Sequence, residues 1–306
     1  MNDIQHYFEQ YIQEQKGLVF FDEPLKNHCT FKIGGPAEIL YVPQNEKALI
    51  AALRFCEIYG VKLHVLGNGS NVLISDKGLK GVTIKLMGGL TELMYLGNGL
   101  IACGAGVSLK KLCSFALENG LTGLEFAYGI PGSVGGAVYM NGGAYGGEIK
   151  NALSSVRSVS LKDCSVKETP VQELDMRYRH TAFMENGEII TAAYFSLTPG
   201  DKNEIEAKMS ELLGKRKASQ PLEYPSAGST FKRPPEGYAA AHIEQCGLKG
   251  HSHGGAMVSP KHAGFVINTG NASFEDVIAI MDEIKQTVFE QHGVMLEPEV
   301  EILGDE

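Results

Sequence analysis

No pair of cysteines in this chain has CxxC spacing. The six cysteines, Cys29, Cys56, Cys103, Cys113, Cys164 and Cys246, fall at irregular intervals. That spacing argues against a zinc site or a disulfide framework, and for buried free thiols in a reducing compartment. A basic excess is missing too: 27 Lys and Arg stand against 36 Asp and Glu, a formal net charge of -9. Surfaces built for nucleic acid carry the opposite sign, although a small anionic ligand needs only a few local cations. The N-terminal MNDIQHYFEQYIQEQKG has early acids and no continuous apolar block, so it does not read as a signal peptide. No window is apolar for the length a bilayer-crossing helix needs. These absences lead to the expectation of a cytoplasmic protein. The lysine-bearing phosphate loop, GxxxxGK followed by Ser or Thr, is absent as well, which disfavours ATP chemistry.

Glycine is what the chain has in plenty, 37 of 306 residues. The glycines follow no collagen period and form no Gly/Ser tract, so they do not read as disorder. They cluster in short blocks between apolar runs, where glycine lets a backbone turn sharply or approach a ligand closely. Apart from glycine, 43% hydrophobic and 21% charged residues describe an ordinary globular chain of two domains or three small ones.

Periodicity divides the chain into three regions. Residues 3–15 predict an amphipathic helix with Ile4, Tyr7, Phe8, Tyr11 and Ile12 on one side. A strand at 38–42, a helix at 45–58 stopped by Gly60, and the strand KLHVLG follow, the scale of a βαβ unit. The second region holds strands at VTIKL and LIACGAG, a helix capped by Ser108, and then SSVRSVSLKD, SVKETP and EIITAAYFSL, which predict a mixed or antiparallel sheet. In the third, helix 202–218 carries Ile205, Met209, Leu212 and Leu213. A small helix AAAHIEQCG and a strand in HAGFVINTG follow, then a helix 274–291 capped by Ser273 and a closing strand VMLEPEVEIL. The domains read as 1–85, 86–200 and 201–306, with the last strand able to return to the first part.

Two glycine blocks carry chemistry. GNGSN, from Gly67 through Asn68, Gly69 and Ser70 to Asn71, lies between two strands. Its backbone N–H groups and side-chain donors can cradle a pyrophosphate. It does not open a helix, so it is not the Rossmann fingerprint, and on its own it reads as a hairpin turn first. The block GIPGSVGGAVYMNGGAYGGE is more specific. Ile130, Val134, Val138, Tyr139 and Met140 would be wasted in a solvated linker, so it reads as an ordered loop packed around a large flat ligand. A flavin with its pyrophosphate fits that description. His251, His253 and His262 have no standard zinc spacing and read as structural, so no metal is expected.

VLGNGSNVLISD, GLEFAYGIPGSVGGAVYMNGGAYGGEI, RYRHT, SAGSTFKRP, HAGFVINTGNA and GVMLEPEVEILG occur in this order, covering nearly the whole chain from about Phe31. The ordered set resembles the UDP-N-acetylenolpyruvoylglucosamine reductase family. That resemblance implies an α+β fold: an FAD-binding, PCMH-type (vanillyl-alcohol-oxidase-like), two-lobed flavin domain followed by an α+β substrate-binding domain. It also implies non-covalent FAD, with Pro131, Gly132, Ser133, Gly135, Gly136 and Asn141 among its contacts, NADPH as co-substrate, and UDP-N-acetylglucosamine enolpyruvate as the substrate, reduced for peptidoglycan synthesis. Only about fifty residues separate Arg179 from Ser229, which resembles the shorter type that lacks a tyrosine-bearing substrate loop. The family's catalytic groups map onto Arg179 in RYRHT, Ser229 in GSTFKRP and Glu299 in LEPEVEIL. Alternation along the strand does not separate Glu299 from Glu297 and Glu301; the PEV signature does. Lys232, Arg233 and Tyr178 map as substrate contacts, although the family often has asparagine where Arg233 stands. Two other readings remain: an FAD-linked oxidase of a small alcohol or hydroxy acid, and a non-catalytic flavin- or nucleotide-sugar-binding regulator.

Overall fold

The computed structural model describes residues 2–304. They form two compact units, each assembled from three segments. The first comprises Met1–Asp22, Glu38–Asn68 and Lys80–Gly214; the second comprises Glu23–Ala37, Gly69–Leu79 and Lys215–Glu306.

In the first unit the N-terminal helix is Asp3–Ile12, shorter than expected, and opens with a capping box between Asn2 and Gln5. Phe8 points inward, edge-on to Tyr41 at 5.5 Å and Phe55 at 5.0 Å, whereas Tyr7 and Tyr11 are exposed. Next comes Gly17–Pro24, a strand the periodicity missed. Gly17 has no room for a side chain, because a Cβ there would lie 2.3 Å from the Tyr41 ring. A four-stranded sheet takes the order Gly17–Pro24, Pro36–Pro43, Leu79–Lys85, Leu63–Leu66, with the last two parallel. The expected βαβ unit is present: helix Glu46–Tyr59, capped by Asn45 and ended by left-handed Gly60, joins Pro36–Pro43 to Leu63–Leu66.

The second lobe of this unit is a five-stranded antiparallel sheet in the order Val166–Pro170, Leu153–Ser160, Glu188–Ser196, Leu100–Gly104, Leu93–Gly97. Val156, Ala193 and Cys103 are cross-strand partners, each at most 1% exposed, and Phe195 faces Ile101 beside them. This buried row is the alternating apolar face of the sheet. Ser108 caps helix Leu109–Glu118 as expected. Arg157, on one sheet strand, grips Glu46 at the start of helix Glu46–Tyr59 through two bonds of 2.9 Å, and the Thr191 hydroxyl donates to the same carboxylate at 3.0 Å.

The second unit has a three-stranded antiparallel sheet, Ser252–His253, Ala256–Val258 and Val266–Asn268, packed against helix Phe274–His292. That helix begins with a Ser273/Asp276 capping box and ends at left-handed Gly293. Val277, Ile280, Met281, Ile284 and Val288 are its buried stripe; Ile280 belongs to it, and Ile278 is only partly buried. Phe31, Ile33 and Leu73, far away in sequence, complete the same core. The predicted closing strand shrinks to Glu301–Leu303, which pairs in parallel with Val72–Ile74 just after the GNGSN loop. Helix Lys202–Ser219 belongs to the first unit as far as Gly214, and its Ile205 and Met209 are buried in that unit's core.

Five of the six cysteines are buried, Cys246 is partly so, and all six are free. Burial pushes the Cys56 thiol up to about 12 and raises Cys103 and Cys113 as well, so these groups stay protonated at neutral pH. Among the described residues no helix is long and apolar enough to cross a membrane, and no cluster of three His, Cys, Asp or Glu could hold a metal ion. His251 and His253 share the Glu283 carboxylate, at 2.5 and 2.7 Å.

Candidate functional site

In the first unit the two glycine blocks come together. A Cβ on Gly67 would sit 2.5 Å from Ser133 Oγ, and Asn68 Nδ2 donates to the Pro131 carbonyl at 2.6 Å. Gly135 is pressed against Ala105, where a Cβ would come within 2.9 Å, and its N–H donates to the Ala105 carbonyl. These glycines are required because loops touch there. Pro131 and Gly136 remain exposed and Gly132 half-buried, which leaves the cradle one bare backbone side. A flat cofactor with a pyrophosphate needs both features, close backbone and little side-chain bulk, and the residues present fit it.

The long glycine block is more regular than the expected loop. Ser133 caps a short helix, Val134–Tyr139, by accepting from Gly136 N–H. Gly143–Ala144 and Gly147–Glu148 then form a hairpin whose turn residues, Tyr145 and Gly146, both have positive φ, 53° and 83°. That is the turn type whose twist matches a two-residue hairpin.

The block also holds Arg179. Arg177 and His180 exchange backbone bonds of 3.0 and 3.2 Å, closing a tight turn over Tyr178 and Arg179. Arg179 occupies the second corner with φ 52°, a left-handed conformation that is costly for a side-chain-bearing residue. Asn141, only 1% exposed, gives its amide hydrogens to the Arg177 carbonyl at 3.0 Å and to Glu148 Oε2 at 3.1 Å, and its Oδ1 accepts from Lys150 N–H. The Thr181 hydroxyl, fully buried, donates to the Tyr139 carbonyl at 2.6 Å. Arg179 itself reaches the Gly143 carbonyl at 3.4 Å and lies 5.1 Å from the centroid of the exposed Tyr178 ring. Glu148 is held below the usual carboxylate range by Lys150, then by Asn141, with the charge of Arg179 adding to both.

In the second unit Ser229 and Glu299 lie on neighbouring segments. Glu299 N–H donates to the Thr230 carbonyl and Lys232 N–H to the Glu297 carbonyl, at 2.9 and 2.8 Å. Thr230 is the hub: it is 3% exposed, its N–H bonds the Gly264 carbonyl, and its hydroxyl accepts from Val266 N–H at 3.0 Å. Sequence reasoning passed over Thr230 and Thr181, since a lone threonine beside a turn carries no periodic signal. Glu299 is half-buried, while Glu297 is exposed and faces Lys232 at 3.5 Å. Arg233 stacks on Tyr238 at 4.1 Å and donates to the Gly237 carbonyl.

The remaining loop residues also belong to this unit. Gly69 has φ 64° and lies so close to the His28 carbonyl that a Cβ would come within 2.4 Å. Ser70 is half-buried beside it. Asn71, expected as a side-chain donor to a pyrophosphate, gives Nδ2 to the Glu299 carbonyl at 2.9 Å, and its own carbonyl accepts from Glu301 N–H. It fastens the end of the glycine loop to the segment that carries Glu299.

Glycine cradle, βαβ unit and antiparallel sheet define a flavin-binding protein of the PCMH type, and the FAD binding domain family matches residues 37–169. The C-terminal domain of UDP-N-acetylenolpyruvoylglucosamine reductase matches residues 220–303. Among curated relatives, the UDP-N-acetylenolpyruvoylglucosamine reductase of Caldanaerobacter subterraneus subsp. tengcongensis is 45% identical over 95% of both chains, and that of Geobacillus kaustophilus 47% over 94% of both. A crystal structure of the Thermus caldophilus reductase overlays with a TM-score of 0.79 at 35% identity, covering 95% of this chain and 100% of that one. The chain belongs to the UDP-N-acetylenolpyruvoylglucosamine reductase family: it is an oxidoreductase that uses FAD.

Proposed function

We propose that this enzyme reduces UDP-N-acetylglucosamine enolpyruvate to UDP-N-acetylmuramate with electrons from NADPH, in the cytoplasm, as a step toward peptidoglycan. The observation that carries this reading is the near-full-length likeness to named reductases, at 45–47% identity. Bound FAD supplies the hydride chemistry. Gly67, Asn68 and Pro131 to Gly136, all in the first unit, would hold it.

The protein's own groups have three tasks. Arg179 binds the substrate carboxylate through two parallel bonds and, being always charged, holds the enolate that forms when the neighbouring carbon is reduced. Ser229 delivers a proton to the α-carbon. A serine hydroxyl is a weak acid, so it serves only against a strongly basic carbon. Glu299 flanks that centre and stabilises the enolic species. Lys232 and Arg233 provide cations for the diphosphate, and Tyr178 lines the site. Among the three acids of the closing segment, Glu299 is favoured by its backbone bond to Thr230, the residue after Ser229.

The test is NADPH oxidation by the yellow holoenzyme with and without the enolpyruvyl substrate. Substrate-dependent oxidation that yields UDP-N-acetylmuramate is expected. Ser229→Ala should keep its flavin and lose turnover by about 10²–10⁴-fold, the usual worth of a positioned proton donor. Wild-type turnover in that variant would remove Ser229 from the mechanism. A flavin-loaded protein with no substrate-dependent oxidation would favour the oxidase or the regulator.

A further inference from the structure

We propose that Asn141 is a positioning residue that acts through Arg179, not a ligand of the flavin. The inference rests on the reading of Arg179 as the substrate-carboxylate group. Asn141 lies in the glycine block, and its position alone suggests contact with the cofactor. The bonding pattern points elsewhere. Both amide hydrogens and the amide oxygen are engaged inside the protein, with the Arg177 carbonyl, Glu148 and Lys150 N–H, and the side chain is 1% exposed. The orientation of the amide is fixed by chemistry, since only the oxygen can accept from Lys150 N–H and only the nitrogen can donate to a carbonyl.

Two consequences reach Arg179. First, the turn that carries it is anchored at both ends to the same short stretch: Asn141 holds the Arg177 carbonyl, and Thr181 holds the Tyr139 carbonyl. Arg179 keeps a left-handed φ of 52° within that turn. A strained backbone persists only where its surroundings over-determine it, and these bonds do so. Second, Asn141 and Lys150 together hold the Glu148 carboxylate, at 3.1 and 2.9 Å, and that carboxylate feels the charge of Arg179. A Glu148 released from Asn141 would be a carboxylate inside the protein competing with the carboxylate of the substrate. Asn141 thus sets the geometry of the turn and restrains the competing anion.

Asn141 itself has φ 43°, so Asn141→Gly keeps the backbone conformation and removes only the side chain. The holoenzyme of this variant is expected to bind flavin with wild-type stoichiometry and an unchanged visible spectrum. Its affinity for the enolpyruvyl substrate, read from the perturbation of flavin absorbance, and its kcat/KM should fall about 10- to 100-fold, the scale of an ångström-sized misplacement. In an Arg179→Ala background the same change should alter substrate affinity by less than about twofold. The isosteric Asn141→Asp covers a failure of the glycine variant to fold. It loses both donors when ionised and regains one when protonated, so its kcat/KM should recover relative to wild type as pH falls, whereas that of Asn141→Gly should not. Loss of flavin with intact turnover per bound flavin would overturn the inference, and so would additive effects in the double variant. Arg179→Ala with wild-type substrate affinity would overturn the carboxylate reading itself, an outcome distinct from additivity.

Discussion

Arg179 is the residue at which fold and function conflict most openly. Its left-handed φ of 52° suits glycine or asparagine, and the position holds a long cation instead. Relief of that strain is worth about 1–2 kcal/mol, partly offset by about 0.5–1 kcal/mol from the greater freedom of an unfolded glycine. Arg179→Gly is therefore expected to leave thermal stability equal or raise it by up to about 1.5 kcal/mol, while substrate-dependent NADPH oxidation disappears. Calorimetry and turnover on one preparation check both halves; a clear drop in Tm would mean the turn is not strained. At this scale the residue types were legible, but their partners were not. Asn71 and Asn141 stand in glycine blocks and read as ligand donors; the structure turns their side chains to the Glu299 and Arg177 carbonyls. An asparagine that binds a phosphate and one that binds a backbone carbonyl have the same local sequence, since the difference lies in a segment many residues away.

Among the elements, helices with a cap and a stop were legible to within a residue or two. Helix Phe274–His292 shows why: Ser273, Asp276 and Gly293 are local signals, and the apolar stripe repeats through five buried residues. The capping box is expected to hold that helix on the sheet. Ser273→Ala should cost about 1 kcal/mol, within the range for caps, measured as a shift in the chemical-denaturation midpoint with unchanged slope. No shift would mean that Asp276, which also accepts from Gly255 N–H at 3.0 Å, secures the helix start without the serine. Strands fared unevenly. The central strands of the antiparallel sheet have an apolar face and were legible, whereas Gly17–Pro24 was not. In that strand Leu18 and Phe20 are exposed and Val19 and Phe21 only half-buried, so both faces are apolar and alternation gives no contrast. The hairpin inside the second glycine block escaped for a different reason: its strands are two residues each, shorter than any period can reveal.

For the whole molecule, the interleaving of segments matters most. The second unit takes Phe31, Ile33 and Leu73 into its core beside Val277 and Ile284, so no single cut in the sequence separates the units. Charge acts at this scale too, through the pair that joins the helix of the βαβ unit to the antiparallel sheet. Glu46 is held below the ordinary carboxylate range, chiefly by its hydrogen bond to Arg157, against the opposing effect of burial. A carboxylate with a lowered folded value contributes stability that is complete above its unfolded value, about 4.3, and is lost as pH falls through the folded one. Glu46→Gln should thus lower stability by about 1 kcal/mol at neutral pH, a figure reduced for the partial exposure of both partners. Its Tm should also fall less steeply than that of the wild type as pH drops below about 4.3. Parallel Tm-against-pH curves would remove this pair from the acid response.

The sequence by itself determined the family, the flavin, the two glycine blocks and the boundaries of the helices that have both a cap and a stop signal. All of these rest on local patterns, or on motifs whose order along the chain is informative. Only the tertiary structure decided which segments share a core, that Arg179 is held in a left-handed turn, and that Thr230 joins the Ser229 and Glu299 segments. Those facts depend on hydrogen bonds and burial between residues distant in sequence, where chain-local propensity has no reach.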